Sequence, residues 1–155
     1  DLETSTMYLY SEYKRGEERV PIHASAIKAR GTWIPGLIDP AANNRQQRDG
    51  ERLMQDYENE GLSLTKADNA VESGLYACWT DLSIGRIKVF STLTEFFKEY
   101  RFYQRDEKGK VVKKNDHLQD DMRYLRNSGL SVAIRKPIDN HGLNVMPRRV
   151  GPGGY

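Results

Sequence analysis

The sequence lacks the features that define several broad classes of protein. It contains one cysteine, Cys78, so no disulfide can form within the chain, and a reducing compartment is the simpler inference. Its apolar runs are shorter than the roughly 18 residues of a membrane-spanning helix, and residues 1–6 have neither the basic start nor the apolar run of a signal peptide. We therefore expect a protein that is not secreted and has no membrane partner.

An excess of charge of one sign is also lacking. The 24 Lys and Arg residues nearly balance the 22 Asp and Glu residues, for a net charge of +2, so net charge alone does not indicate a nucleic-acid-binding protein. Any site for a polyanion must come from local clustering. What the chain does contain is aromatic bulk, with nine Tyr, four Phe and two Trp in 155 residues, which indicates one globular domain of ordinary size.

Segments typical of strands and helices alternate along residues 1–136. Apolar or aromatic runs predict strands at 7–13, 32–38, 62–65 and 87–90. Capping residues and apolar periodicity predict helices at 22–30, 49–61, 69–85 and 92–100, and a last one from Asn115 or Asp116 to near Gly129. Residues 102–105 and 110–113 flank a charged turn and predict a hairpin. The pattern indicates an α/β domain, with Cys78, Trp33 and Trp79 expected in its core.

Acidic residues concentrate at two places. Asp39 directly follows a predicted strand, and the last helix carries Asp116, His117, Asp120 and Asp121. At about 100° per residue, His117, Asp120 and Asp121 form a polar arc beside the apolar stripe, with Asp121 nearer to the stripe than Asp120. Carboxylates this close repel one another unless a cation joins them, and hard oxygen ligands suit Mg²⁺ or Mn²⁺. Two such ions would support phosphodiester hydrolysis.

A purely structural interpretation competes with this metal site. Asp116 can cap the helix, Asp120 and Asp121 can be solvated, and Asp39 can open a turn with Pro40. Spacing alone favours this interpretation, because acidic residues are common near helix starts.

Four stretches of sequence resemble one known family. GLIDPAANNRQQRDGERL, GLSLTKADNAVESGLY, GRIKVF and above all VKKNDHLQDDMRYL occur in the order found in the C-terminal nuclease domain of the large terminase subunit of headful-packaging tailed bacteriophages. The family pattern of an Asp-His, two residues, an Asp and then an Arg-Tyr is matched by Asp116-His117, Asp120 and Arg123-Tyr124. Asp121 departs from it, since a small apolar residue is usual there.

The resemblance implies a ribonuclease H-like fold, with a mixed central sheet flanked by helices. It also implies a metal-dependent endonuclease that cleaves double-stranded concatemeric DNA in the host cytoplasm during virion assembly. Two Mg²⁺ or Mn²⁺ ions are expected, with Asp39 and Asp120 as ligands and His117 beside them, and Asp116 and Asp121 as further candidates. An upstream ATPase domain, the portal protein and the small terminase subunit are the implied partners besides DNA.

One strand of the implied fold is absent from the sequence. Ribonuclease H-like nucleases carry an essential Asp on a first strand, whereas residues 1–6 resemble the turn that follows it, and the chain does not begin with Met. We therefore expect a processed chain or fragment that binds metal weakly and cuts DNA poorly or not at all. The alternatives are a catalytically inert DNA- or portal-docking fragment, or another ribonuclease H-like nuclease such as a junction resolvase.

Basic residues cluster beside the acidic helix. Residues 98–114 contain seven Lys and Arg against three Asp and Glu. Contacts of this kind with phosphates would anchor a duplex without reading its sequence; equally, they could protect an exposed hairpin edge from aggregation. The candidates for DNA binding are Arg105, Lys108, Lys110, Lys113 and Lys114. Residues 137–155 have no periodicity and end in Gly-Pro-Gly-Gly-Tyr, which predicts a flexible basic tail.

Overall fold

The computed structural model describes residues 1, 3–40, 47–112, 114 and 116–138, and for residues 47–51 it describes the backbone alone. The predicted tail lies outside these residues from position 139 onward, as does Asn115. The elements are, in chain order, β1 (Met7–Leu9), α1 (Val20–Lys28), β2 (Gly36–Ile38), α2 (Gln47–Asn59), β3 (Leu64–Lys66), α3 (Val71–Ser83), β4 (Ile87–Val89), α4 (Thr94–Phe102) and α5 (His117–Val132). The predicted alternation of strands and helices is confirmed, although β1 is shorter than expected.

The four strands form two parallel pairs. β1 pairs with β4, Met7 opposite Ile87, and β2 pairs with β3, Gly36 opposite Leu64. The expected single mixed sheet is therefore not seen in the described part of the chain. Parallel pairs need long crossovers, and here helices provide them.

Helix α5 lies at the centre of the packing and contacts α3, α4 and β2. Its Leu118 and Met122 belong to a buried cluster with Cys78, Ile87, Leu93 and Phe96. Burial raises the pKa of the Cys78 thiol to about 11, so this side chain is protonated at neutral pH and acts as a small apolar group. The predicted core position of Cys78 is confirmed.

Carboxylates distant in sequence satisfy the N-termini of α4 and α5. The backbone N–H groups of Glu95 and Phe96 donate to the two carboxylate oxygens of Glu12, at 3.0 and 2.8 Å. The N–H of Leu118 donates to Glu99 at 2.6 Å, and Glu99 is itself buried and ion-paired with Lys14 at 2.7 Å. Helix termini favour negative charge, so these contacts fix both helices against their neighbours.

Three predicted helix caps are wrong, and at α4 and α5 the reason is the same. No side chain of the predicted capping box at 92–95 caps α4, and no side chain of Asp116 caps α5. Asn69 does not cap α3 either, because its side chain faces Arg123. Local spacing cannot reveal that a carboxylate from another element takes the cap position.

Some predicted core residues and the predicted hairpin also differ from what the structure shows. Trp79 is 64% exposed and Leu125 is 42% exposed, so neither fills the core, whereas Trp33 is half-buried. The predicted hairpin contains one antiparallel bridge, between Arg105 and Val111, and Phe102 belongs to α4. Among the helices in the described ranges, none has both the length and the apolar character that crossing a membrane requires.

The capping role of Glu12 leads to a stability prediction. Glu12→Ala removes the acceptor for two backbone N–H groups at the start of α4, and we expect a loss of about 1–2 kcal/mol in the free energy of unfolding. Urea denaturation followed by circular dichroism measures it. Glu107→Ala, at an exposed turn position, is the matched control and should change stability by less than about 0.5 kcal/mol; equal losses in both variants would contradict the capping role.

Candidate active site

The candidate site lies where β2 ends beside the first half of α5. Asp39 follows directly after β2 and is exposed. The hydroxyl of Tyr124 on α5 donates to the side-chain oxygen of Asn69 at 3.5 Å. The pKa of Tyr124 is raised well above its usual value, first by burial and then by the neighbouring Asp39. Ligand sites in α/β folds commonly lie at such carboxyl ends of strands.

Asp120 is held by a buried cation one turn further along α5. Arg123 has no exposed surface, and its Nη2 and Nε donate to Oδ1 of Asp120 at 2.9 and 3.3 Å. Its Nη1 donates to the side-chain oxygen of Asn69 at 3.1 Å. A buried charge is costly unless it is paired and hydrogen bonded, so these contacts fix the guanidinium and, through it, Asp120.

Asp121 shows that negative charge is concentrated here. Its side chain reaches solvent, yet protein atoms crowd around it on most sides. This crowding, together with the charges of Glu99, Asp120 and Asp39, raises its pKa to about 6, while His117 acts in the opposite direction. Like charges disfavour ionisation in this way only at short range. Asp39, Asp120 and His117 therefore lie near enough to Asp121 for their charges to act on it.

The remaining acidic candidate, Asp116, lies at the N-cap position of α5 and is buried. Among the residues that the structure describes, no three His, Cys, Asp or Glu side chains converge tightly enough to hold a metal ion. The described side chains therefore do not form a metal site by themselves.

The burial of Asp120 and Asp121 differs from the angular prediction. Asp120 retains 17% exposure of its side chain, whereas Asp121 is exposed. The helical wheel places Asp120 further from the apolar stripe, but α3 covers that side of α5 as well. Arg123 and Gln119, both fully buried, mark this second buried face.

The basic candidates lie on the turn between α4 and α5. Lys108, Lys110 and Lys114 are exposed, and Lys113 lies outside the described residues. Arg105 instead forms a bidentate ion pair with Glu72, at 3.1 and 2.8 Å, and also donates to the carbonyl of Gly109. Its guanidinium is therefore engaged within the protein.

The sequence did not predict the contacts of several residues that build the site. Gly74 and Glu99 carry no local signal, since their partners lie 19 or more positions away. Asn69 was predicted only as a cap of α3, whereas its side chain accepts from Arg123. Arg123 and Tyr124 matched the family pattern, and an arginine between two apolar positions of a packed helix is a signal that could have marked a buried ion pair.

These features place the chain among α/β domains with an acidic site at the carboxyl end of a strand. No family model matches the sequence. It is 32% identical over 148 residues to the terminase large subunit of Salmonella phage P22, and 33% identical over 131 residues to that of Enterobacteria phage LP7. These matches cover 88% and 80% of the chain but 30% and 28% of the relatives.

Solved structures give the same result. The P22 large terminase nuclease domain is 32% identical, with a TM-score of 0.72 over 84% of this chain and 71% of that one. The large terminase of a thermophilic bacteriophage, in complex with ADP, is 25% identical, with a TM-score of 0.61 over 74% of this chain and 29% of that one. The chain belongs to the family of nuclease domains of phage terminase large subunits.

Close packing around Arg123 leads to a second stability prediction. A Cβ at Gly74 of α3 would lie 2.8 Å from Cγ of Arg123 and 2.8 Å from Nδ2 of Asn127. We expect Gly74→Ala to lower the free energy of unfolding by about 1–3 kcal/mol. The control is Gly129→Ala in α5, where the nearest atom would lie at 3.8 Å and where about 0.5–1 kcal/mol of stabilisation is expected. Thermal denaturation distinguishes them; a neutral Gly74→Ala would contradict the tight packing.

Proposed function

We propose that this chain is the DNA-cleaving domain of a genome-packaging terminase, with a ribonuclease H-like fold and a divalent-metal-dependent endonuclease activity on double-stranded DNA. The observation that carries the proposal is the gathering of Asp39 from β2 with Asp120 and Asp121 from α5. The relationship to terminase nuclease domains supports the same activity.

The donor chemistry fits Mg²⁺ or Mn²⁺ in part. The pKa of Asp121 is raised first by burial and then by repulsion from neighbouring carboxylates, and a bound cation would relieve that repulsion. Asp39 and Asp120 would hold the metal, with Asp121, Asp116 and His117 as further candidates beside it. When bound, two such ions supply an activated water and charge stabilisation for the leaving oxygen.

The missing part of the site is proposed to come from a further strand. The amino group of Asp1 donates to the carbonyl of Thr6 at 2.8 Å, and the N–H of Thr6 donates to the carbonyl of Asp1 at 3.0 Å. Such reciprocal bonds are the pattern of an antiparallel pair. Met7 and Leu9 bond to the β4 side, so Thr6 and Tyr8 face the opposite edge of β1.

A groove runs along that edge, and the additional strand is proposed to lie in it. It is lined by Tyr8 and Tyr10 within and after β1, by Gly36 of β2, by Leu64 of β3 and by Leu125 of α5. An adjoining cavity of about 360 Å³ continues to Asp121 and Tyr124. A strand here would join the two parallel pairs into one mixed sheet and bring a further carboxylate to the site. The relative from phage P22 is more than three times longer than this chain, so it contains additional sequence that would supply such a strand.

The whole protein's partners are proposed by the same relationship. The structure from the thermophilic bacteriophage contains ADP in a large terminase of which this chain corresponds to 29%, which supports an ATPase domain elsewhere in the longer protein. The portal protein and the small terminase subunit are the other proposed partners. The proposed place of action is the host cytoplasm.

Two other functions lead to different results in the same assays. A docking fragment with purely structural carboxylates would show no Mn²⁺-dependent cleavage even with the additional strand restored. A junction resolvase would cleave four-way junctions in preference to linear duplex DNA.

Cleavage of supercoiled plasmid in the presence of Mn²⁺ tests the proposed activity. We expect the 155-residue chain to nick poorly, and a version extended upstream by one strand to nick readily, because only the second has the carboxylate of the additional strand. In the extended version, Asp39→Asn should abolish nicking, whereas Asp56→Asn on α2 should have no effect. Robust Mn²⁺-dependent nicking by the shorter chain would contradict the missing ligand.

The exposed lysines give a prediction for DNA affinity. Lys108→Ala, Lys110→Ala and Lys114→Ala should each weaken duplex binding and lower the slope of log affinity against log salt concentration by about 0.9. The same holds for Lys113→Ala. Fluorescence anisotropy at several salt concentrations measures the slope, and Lys88→Ala on β4 is the control. Unchanged slopes in all four variants would contradict DNA binding by these lysines and favour the alternative, in which they protect an exposed hairpin edge from aggregation.

A further inference from the structure

The turn that carries Lys108 and Lys110 is ordered by its own hydrogen bonds. One carboxylate oxygen of Asp106 accepts from the backbone N–H groups of Lys108 and Lys110, at 2.9 and 2.8 Å. The backbone N–H of Asp106 donates to the carbonyl of Lys110, and its carbonyl accepts from the N–H of Gly109. The φ angle of Gly109 is 74°, which favours glycine. These bonds fix the backbone of both lysines within the turn.

Order within the turn does not fix its direction relative to the rest of the domain. A cavity of about 610 Å³ is lined on one side by α3, including Tyr76, and on another by Gln104 and Val111, which flank the turn. The segments on either side of the turn meet in an isolated antiparallel bridge, and a short two-stranded hairpin is at best marginally stable by itself. A contact that spans the distance to α3 is therefore needed to hold the turn in one direction.

Arg105 makes such a contact. Its Nη1 and Nη2 donate to the two carboxylate oxygens of Glu72, at 3.1 and 2.8 Å, and Nη1 also donates to the carbonyl of Gly109 at 2.7 Å. Glu72 lies in the first turn of α3, so one guanidinium joins this helix to the turn that carries the lysines. Bidentate pairs between arginine and a carboxylate fix direction as well as distance, because the guanidinium is planar.

We infer that Arg105 is a positioning residue for DNA: its ion pair with Glu72 holds Lys108 and Lys110 in the direction in which they contact phosphates, and it makes no phosphate contact itself. The inference rests on the proposed function and adds to it the pair that orients the DNA-binding surface. A surface whose charged groups are already in place loses less conformational entropy on binding than one that must first be ordered.

Glu72→Gln is the most direct test, because it breaks the ion pair and also removes a negative charge. Electrostatics alone predicts tighter DNA binding, whereas the positioning role predicts weaker binding. We expect the dissociation constant of the 155-residue chain for linear duplex DNA, measured by fluorescence anisotropy, to rise by about 2- to 5-fold, in keeping with an exposed ion pair. The salt slope should change by far less than the value of about 0.9 for one lost phosphate contact.

Glu107→Gln is the matched control. Glu107 is exposed on the same turn, and the substitution removes the same charge without affecting the pair between Arg105 and Glu72. The dissociation constant should therefore stay equal to that of the parent or fall. Thermal denaturation of each variant gives the temperature range in which all of them are folded, and binding is compared within it.

Glu72→Arg provides a second, independent variant. In the parent chain it places two guanidinium groups opposite each other and should weaken DNA binding, although it adds positive charge. In the Arg105→Glu chain the same substitution restores an ion pair of reversed polarity and should tighten binding. Charge alone does not reverse the sign of the effect of one substitution between the two chains, so this cycle isolates the pair.

The results separate the positioning role from DNA binding itself. If Glu72→Gln binds DNA as tightly as the parent or more tightly, while the lysine variants still lower the salt slope, the positioning role is overturned and the proposed DNA binding stands. Unchanged slopes in the lysine variants would overturn both.

Discussion

The burial of one positive charge constrains the rest of this structure. The Arg123 guanidinium is excluded from water, and an unpaired charge in that position would cost several kcal/mol. Asp120 and Asn69 must therefore stay within hydrogen-bonding distance. Because Asn69 precedes α3 and Gly74 lies within it, this requirement fixes α5 against α3, and it allows only glycine at the point of contact.

The same helix is fastened at both ends, which makes it a rigid support for the acidic residues. Glu99 accepts from the first turn of α5 and is paired with Lys14. Further along, Arg126 is paired with Asp81 of α3, and the Ser128 hydroxyl accepts from the N–H of Asp68. Sites on well-packed helices hold their geometry better than sites on loops. Asp120 and Asp121 thus face Asp39 from an element that cannot easily shift.

Sequence patterns predicted the elements well and the contacts between them poorly. Apolar periodicity and glycine positions placed all five helices, and the strand before Asp39 identified the acidic site. The wheel of α5 ranked the burial of Asp120 and Asp121 wrongly because periodicity reports the apolar face and does not reveal a polar face buried against a second helix. Glu12 and Glu99 were missed as caps since their partners are 83 and 19 positions away. Trp79 was placed in the core on composition alone, yet its side of α3 faces solvent.

Charge balance connects the structural ion pair with the proposed chemistry. When ionised, Asp39, Asp120, Asp121 and Glu99 carry four negative charges, and Arg123 and Lys14 supply two positive charges among them. The surplus equals the charge of one divalent cation. Arg123 and a cation would compete for Asp120, so the neighbouring carboxylates are needed to keep the site attractive to metal. A second ion would add two positive charges beyond this surplus, and a carboxylate on the strand proposed for the groove beside β1 would balance one of them.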